Sequence, residues 1–357
     1  MGHVSQIGFG SRELGEFVMK DRYRLTWAGL LPSLAALLSS ASFLCSGAQA
    51  TDFNGTAFFT DFSNGTVHSV DYSYNDVSHV FTTGAPNLIA TLPGADGIVF
   101  APNGNLLVGG QGTNHVFNVT PSSGTFTSAS TSTPSFHLAL APDGQFVYTS
   151  NFGGPLVQIP LSNFGTANPP NITNVTGGDG GLTQIAFAAG KTFYVNGSPN
   201  CCGNVGTIDL NTGVTTRLAS SVTAAHGIIF DPFSGLIDLF GGGNVATINP
   251  NTMAVSASVH PTGAAADFDQ GAPDGLGHAL IAGSGGLTFI DYEGTSILTP
   301  NFVTFRSGFG SIDDIAPLTG VGAPPSVPGP IVGAGLPGLI LACGGLLGWW
   351  RRRQKLI

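Results

Sequence analysis

Ala95-Asp96-Gly97-Ile98-Val99-Phe100-Ala101-Pro102-Asn103-Gly104-Asn105-Leu106-Leu107-Val108-Gly109-Gly110 opens the stretch whose reading decides the fold, and Gln111 to Pro121 completes it. Ile98 to Phe100 is apolar and stops at a turn around Asn103-Gly104. Leu106 to Val108 is apolar and stops at Gly109-Gly110, and Val116 to Val119 alternates before Pro121. Short apolar or alternating runs punctuated by Asn-Gly and Gly-Gly are strands of a meander. A three-stranded unit cannot bury both of its faces alone, so the chain should hold further copies.

Copies are most visible at the third strand, which ends in an aliphatic residue followed by a small polar residue or Pro. They are Val70-Asp71, Val119-Thr120, Ile159-Pro160, Ile208-Asp209, Ile248-Asn249 and Ile290-Asp291, at intervals of 49, 40, 49, 40 and 42 residues. Such spacing belongs to β-propeller blades. Six copies predict an all-β, six-bladed propeller over residues 51–319. First strands precede the last five copies at Ile98 to Phe100, Leu138 to Leu140, Ile185 to Phe187, Ile228 to Phe230 and, more loosely, Asp269 to Pro273. The first copy has only Ala57 to Thr60 and Thr66 to Val70. Its missing strand is expected in Ile312-Asp313-Asp314-Ile315-Ala316-Pro317-Leu318, whose pairing with the first copy would close the ring and remove open strand edges.

The 357 residues include 53 Gly and only 9% charged residues, which suits a turn-rich β body. From Thr51 to Leu318 the basic residues are Lys191, Arg217 and Arg306 against 17 acidic ones, a balance of −14. Nucleic acid is excluded as a partner, because phosphate binding needs clustered Lys and Arg. Cations and polysaccharide fit the balance better.

Both ends read as targeting segments. An apolar run from Leu25 to Cys45 follows Lys20, Arg22 and Arg24 and precedes Ala48-Gln49-Ala50, the pattern of a signal peptide (1–50, cleaved after Ala50) with Met19 as a sufficient start. Residues 320–330 are a Pro/Gly-rich linker, Ile331 to Trp350 carries no charge over 20 residues, and Arg351, Arg352, Arg353 and Lys355 follow. That length spans a bilayer core as a helix, and the basic cluster holds the C-terminus in the cytoplasm, so 331–357 is expected to be a transmembrane helix with a basic tail.

The order Val327-Pro328-Gly329-Pro330, apolar span, Arg351 to Arg353 resembles the PEP-CTERM sorting signal of Gram-negative bacteria, with Gly329 where that family usually has Glu. The resemblance implies export, recognition by an exosortase-type membrane protease, transient tethering to the cytoplasmic membrane, and delivery to the cell surface or exopolysaccharide matrix. Export leaves Cys201 and Cys202 as the only cysteines of the body. A vicinal disulfide or inert thiols, metal capture, and an intermolecular bridge are all open to them.

Chemistry should sit where the innermost strands begin, since those positions line the mouth of a propeller's central channel. The repeat places Asp96, His137, Gln184, His226, Asp269 and either Asp313 or Asp314 there. Imidazoles and carboxylates on one axis would suit a divalent cation, calcium or magnesium, with Asp96, His226 and Asp269 as the metal candidates. A solvated channel with polar walls explains the same residues. Asp96-Gly97-Ile98 and His226-Gly227-Ile228 resemble inner-strand starts of the streptogramin lyase and gluconolactonase-like propellers. That resemblance puts His226 in a lyase-like His position and Asp96 in a metal-ligand position, although no inner strand here offers a Glu. No Gly-x-Ser-x-Gly elbow, phosphate-binding Gly-x-x-x-x-Gly-Lys loop or His-Glu-x-x-His motif is present. The leading expectation is therefore an exported binding or scaffold protein, with a metal-dependent lactonase or lyase as the alternative.

Overall fold

The computed structural model describes residues 52–165, 173–175, 179, 181–198, 202–324 and 327–328, with backbone alone at 52, 173–175 and 327–328. The expected signal segment, the apolar span 331–350, Gly329, Pro330, Arg351 to Arg353 and Cys201 lie outside the described residues. Among the described residues no helix is long and apolar enough to cross a membrane.

Six antiparallel sheets make up the described body. The second, from which the repeat was read, runs Ala95–Phe100, Leu106–Gly110, His115–Val119, Phe126–Ser130 in spatial order. The third and fourth repeat it, starting from Leu138–Leu140 and Gln184–Ala188. The fifth has Gly227–Asp231, Leu236–Gly241 and Asn244–Ile248, and bridges at Val255 and Val259 stand in for a fourth strand. In the sixth, Gly271–Pro273 pairs with His278–Asp291, which in turn pairs with Phe302–Ser311. The His278–Asp291 run doubles back on itself, since the Tyr292 N–H donates to the Gly277 carbonyl (2.8 Å), and Gly285 takes a φ of 92° at the bend. A left-handed φ there favours glycine.

Why the inner strands are continuous apolar runs follows from the packing. Each sheet is covered on both faces, so neighbouring residues of one strand enter different cores. Leu106 and Val108 join the first sheet's Val67 in one cluster, while Leu107 between them joins the third sheet's Leu138 and Val147 in another. Tyr148 and Leu156 meet Ile185 and Tyr194, and Phe193 and Val205 meet Ile237 and Leu239. Phe240 and Val245 meet Ile281 and Ile290, and the sixth sheet's Leu280 and Phe289 meet Ala57 and Phe59 of the first. Every sheet thus shares one core with each of two others, and the cycle of packing closes on itself.

The first sheet is completed by residues 312–318, as its missing strand required. Phe59 bridges Ile315, the Thr60 N–H donates to Asp314 O (2.9 Å), the Asp313 N–H donates to Thr60 O (2.9 Å), and the Ala316 N–H donates to Phe58 O (2.8 Å). Ile315 is fully buried with Phe59 and Phe289, while Ala316 enters the core shared with the second sheet. The first sheet also departs from the repeat. Asp52–Asp61 and Thr66–Asn75 are ten residues each, roughly twice the expected length, because Tyr72 and Tyr74 continue the buried face and Phe53 packs on Tyr74. The Tyr74 hydroxyl donates to Asp291 Oδ2 (2.6 Å). Val327–Pro328 pairs with Phe53 and Asn54 on the free edge of Asp52–Asp61.

One buried group stands alone on the fifth sheet. Asp238 is fully buried and neither carboxylate oxygen has a hydrogen-bond partner, so burial, reinforced by the charge of Asp231, pushes its carboxyl well above the ordinary value of 3.8.

Candidate functional site

The starts of the inner strands converge on the ring axis in two layers. Strand register fixes them: Ile98, Leu138, Ile185, Ile228, Gly271 and Ile315 occupy equivalent positions. One residue earlier lie His137, Gln184, Gln270 and Asp314, with Gly97 and Gly227 completing that layer. Two residues earlier lie Asp96, His226, Asp269 and Asp313. The choice between Asp313 and Asp314 is resolved in favour of both, one in each layer.

Gly97 and Gly227 explain the alternation. A Cβ on Gly97 would stand 2.3 Å from Phe136 O and 2.6 Å from His137 Cα, and one on Gly227 would stand 2.4 Å from Asp269 O. Neighbouring inner strands therefore approach backbone to backbone at these two points, and the side chain that reaches the axis comes from the residue before.

The side chains meet across the axis. His137 Nδ1 is 2.9 Å from Asp314 Oδ2, and His137 Nε2 is 3.2 Å from His226 Nε2. His226 Nε2 lies 2.6 Å from Asp269 Oδ1, and its Nδ1 donates to the Gly197 carbonyl (3.0 Å). The Gln184 carbonyl accepts from the Ile228 N–H (2.8 Å). Gln270, oriented to satisfy its neighbours, donates to Asp314 Oδ1 (2.9 Å) and accepts from Gln184 Nε2 (2.9 Å). Asp96 and Asp313 are hydrogen-bonded to each other.

The expected solvated channel mouth is corrected here. His137, Gln184, His226 and Asp314 are all at most 3% exposed, and Asp269 and Asp313 are partly buried. Six inner strands stand close enough for their first side chains to fill the axis as a closed polar plug. Phe152, 40% exposed, covers it, stacking on His226 (centroids 5.7 Å, interplanar 15°) with its edge toward His137.

Electrostatics follow from four carboxyls and two imidazoles in low dielectric. Burial opposes a charge on His137, but the Asp314 carboxylate beside it prevails, and its pKa is pushed up to about 9. Burial, then the charge of Asp314, raises Asp96 well above the usual carboxylate range. Burial, then the charge of Asp96, does the same to Asp313, so the bonded pair holds a proton between them. Asp269 is held below its ordinary value, burial being outweighed by His226 and His137. Two groups bring metal-ligating atoms together: His137, His226 and Asp269, and Asp96, His137 and Asp314. Asp96, expected beside His226 and Asp269, falls in the second.

Sequence reasoning missed Gln270 and Phe152. Gln270 follows Asp269 where the inner strand starts loosely, and a register read from Gly271 would have found it. Phe152, in an Asn-Phe-Gly-Gly turn, carries no repeat signal. Cys202 is exposed.

At the far ends of the same inner strands lies a cavity of about 390 Å³. It is walled by Val99, Leu138, Ile185 and Ile228 from four successive strands and by Pro317 and Val321, with Gln184 and Gln270 at its floor. No carboxyl, imidazole, thiol or amine lines it.

The sequence matches no family model and no curated protein. The fold is similar to a chain in the crystal structure of a nidogen/laminin complex, at 10% identity and a TM-score of 0.56, over 74% of this chain and 97% of that one. The body is a β-propeller. Two weaker likenesses are to the PQQ-bound aldose sugar dehydrogenase of Streptomyces coelicolor (16% identity, TM-score 0.48, 65% of this chain and 87% of that one) and to a streptogramin B lyase. The lyase shares 12% identity at a TM-score of 0.47 over 72% of this chain and 89% of that one. At 10% identity the likeness to the nidogen/laminin chain is one of fold.

Proposed function

We propose that the chain is an exported six-bladed propeller with a binding or scaffold role at the cell surface or in the extracellular matrix. The observation that carries the binding role is the pairing of a closed axis with an open apolar cavity. The polar side chains of the axis are packed against one another under Phe152, which leaves no bed for a lactone or glycan substrate. The accessible cavity offers shape, two side-chain amides and the Thr319 hydroxyl, and among the described residues no carboxyl, imidazole, thiol or amine lines it. Its volume lies at the lower end of small-molecule sites, so its guest is a compact, largely apolar molecule or side chain.

The route is the one read from the ends of the chain: signal peptide, membrane tether and PEP-CTERM-type sorting by an exosortase-type protease, with matrix polysaccharide as the destination. Two measurements test the proposal together. Intact mass of the surface fraction should show loss of residues 1–50, and replacing Val327 to Pro330 should hold the protein in the membrane fraction. Val321→Trp, which adds bulk at the exposed wall of the cavity, should abolish uptake of an apolar fluorescent dye by the exported protein. Cytoplasmic protein with an intact N-terminus would sink the export reading, and dye uptake unchanged by the Trp would sink the cavity.

A further inference from the structure

We infer that the axis of this propeller is a binding site for one zinc-class divalent ion, held by His137 Nε2, His226 Nε2 and Asp269 Oδ1. This is independent of the export route and of the apolar cavity.

A carbonyl oxygen only accepts, so His226 Nδ1, 3.0 Å from Gly197 O, carries the hydrogen and Nε2 presents a lone pair. His137 Nδ1 faces an Asp314 carboxylate that already accepts from Gln270, so it too carries a hydrogen, and its Nε2, protonated in the ion-free imidazolium, presents a lone pair once a metal displaces that proton. The two Nε2 atoms stand 3.2 Å apart. The third atom of the group, Asp269 Oδ1, is a buried oxygen without a hydrogen-bond partner, although His226 Nε2 is only 2.6 Å away. A single proton placed among the three can join two of them and leaves the third unsatisfied. A single cation satisfies all three.

Size agrees. The three separations are 3.2 Å, 2.6 Å and 3.9 Å, and the point about 2.0 Å from each corner, the bond length of zinc to imidazole and carboxylate, lies in the plane of the three donors with His137 Nε2 and Asp269 Oδ1 nearly opposite one another. Calcium requires longer bonds and six to eight oxygens, and magnesium an oxygen octahedron, so the calcium or magnesium expected from the axial imidazoles and carboxylates fits this donor set less well. The surroundings are those of a metal centre. Each imidazole is fixed through its other nitrogen, one by a carboxylate and one by a carbonyl, which sets the tautomer a metal needs.

Charge agrees as well. Asp96, Asp269, Asp313 and Asp314 meet at the axis, and none of the body's three Lys and Arg residues joins them. Arg217 pairs with Asp179, Arg306 donates to Phe81 O, and Lys191 is exposed. Buried carboxylates need a compensating positive charge, and a divalent ion supplies more of it than the His137 imidazolium alone, where the chain has placed no Lys or Arg. The ligands come from the third, fifth and sixth sheets, so the ion would tie the ring across its diameter.

The test uses untagged exported protein stripped with a chelator and titrated with zinc, and separately with cobalt(II) as a spectroscopic probe. One equivalent of zinc should bind and raise the thermal midpoint, and cobalt should give visible absorption bands that saturate at one equivalent. Asp269→Asn and His226→Gln, with folding checked by circular dichroism, should abolish both signals. Asp314→Asn, which touches no metal, should weaken zinc binding about 10- to 100-fold while leaving its stoichiometry at one. Folded, stripped wild-type protein that takes up no zinc would overturn the inference whatever the variants do. Zinc bound equally well by both ligand variants, or displaced by equimolar magnesium, would overturn it too.

Discussion

Replacing Asp238 by Asn isolates a buried proton whose consequences can be worked out beforehand. The carboxyl is fully buried, both oxygens lack partners, and its folded-state pKa lies well above the ordinary 3.8. Between those two values the folded protein holds a proton that the unfolded chain has released. Its contribution to stability is therefore complete below 3.8 and declines as the pH rises, until the buried carboxyl itself ionises. One such group gives a slope of about 1.4 kcal/mol per pH unit. Asp238→Asn keeps the shape and removes the titration. An amide in that place also lacks partners, which shifts the whole curve without tilting it. Urea unfolding of parent and variant at about pH 4.5 and about pH 6.5 should show the variant gaining on the parent across that interval, by at most roughly 2.7 kcal/mol, the limit for a carboxyl that stays protonated throughout. Asp96, Asp313 and Asp314 titrate in both proteins and cancel in the difference. Parallel stability curves would refute the reasoning, because they would mean that Asp238 is ionised or solvated in the fold.

Three further outcomes are expected. Ile315→Ala, in the core that seals the ring, should cost about 2–5 kcal/mol by urea unfolding, and deletion of residues 312–318 should give concentration-dependent oligomers on size exclusion, where a stable monomer would count against the seal. Gly97→Ala should destabilise by about 1–3 kcal/mol because the Cβ meets backbone, whereas Gly153→Ala, with nothing within 4 Å, should change the thermal midpoint little; equal effects would contradict the close approach at the axis. Tyr74→Phe should cost about 1.5–3 kcal/mol through the loss of its buried hydrogen bond to Asp291, read as a lower urea midpoint.

The three inner strands of each sheet were readable because packing on both faces makes them apolar between Gly-rich turns. The outermost strands were not. Phe126–Ser130 is exposed at every residue but Ala129, and Thr215–Val222 is exposed or half-buried except at Val222. Such strands have no face that must be apolar, and their pairing is decided by the neighbouring edge. The axial residues were readable as a set, because the repeat marks where each inner strand begins. Their two layers were not, since a one-residue offset at Gly97 and Gly227 depends on how near the next backbone comes. Nor could a sequence say whether six inner strands leave a channel or fill it, which depends on fractions of a side-chain length across the ring.

The seam between Thr60 and Asp314 joins positions 254 apart, almost the whole length of the body. Chain entropy opposes so distant a contact until everything between has become compact, so hairpins and neighbouring pairs assemble first and the ring latches last. Synthesis imposes the same order, because residue 312 leaves the ribosome after every other strand of the ring. Until then the chain carries two raw edges, and whatever escorts it must shield them for that entire interval.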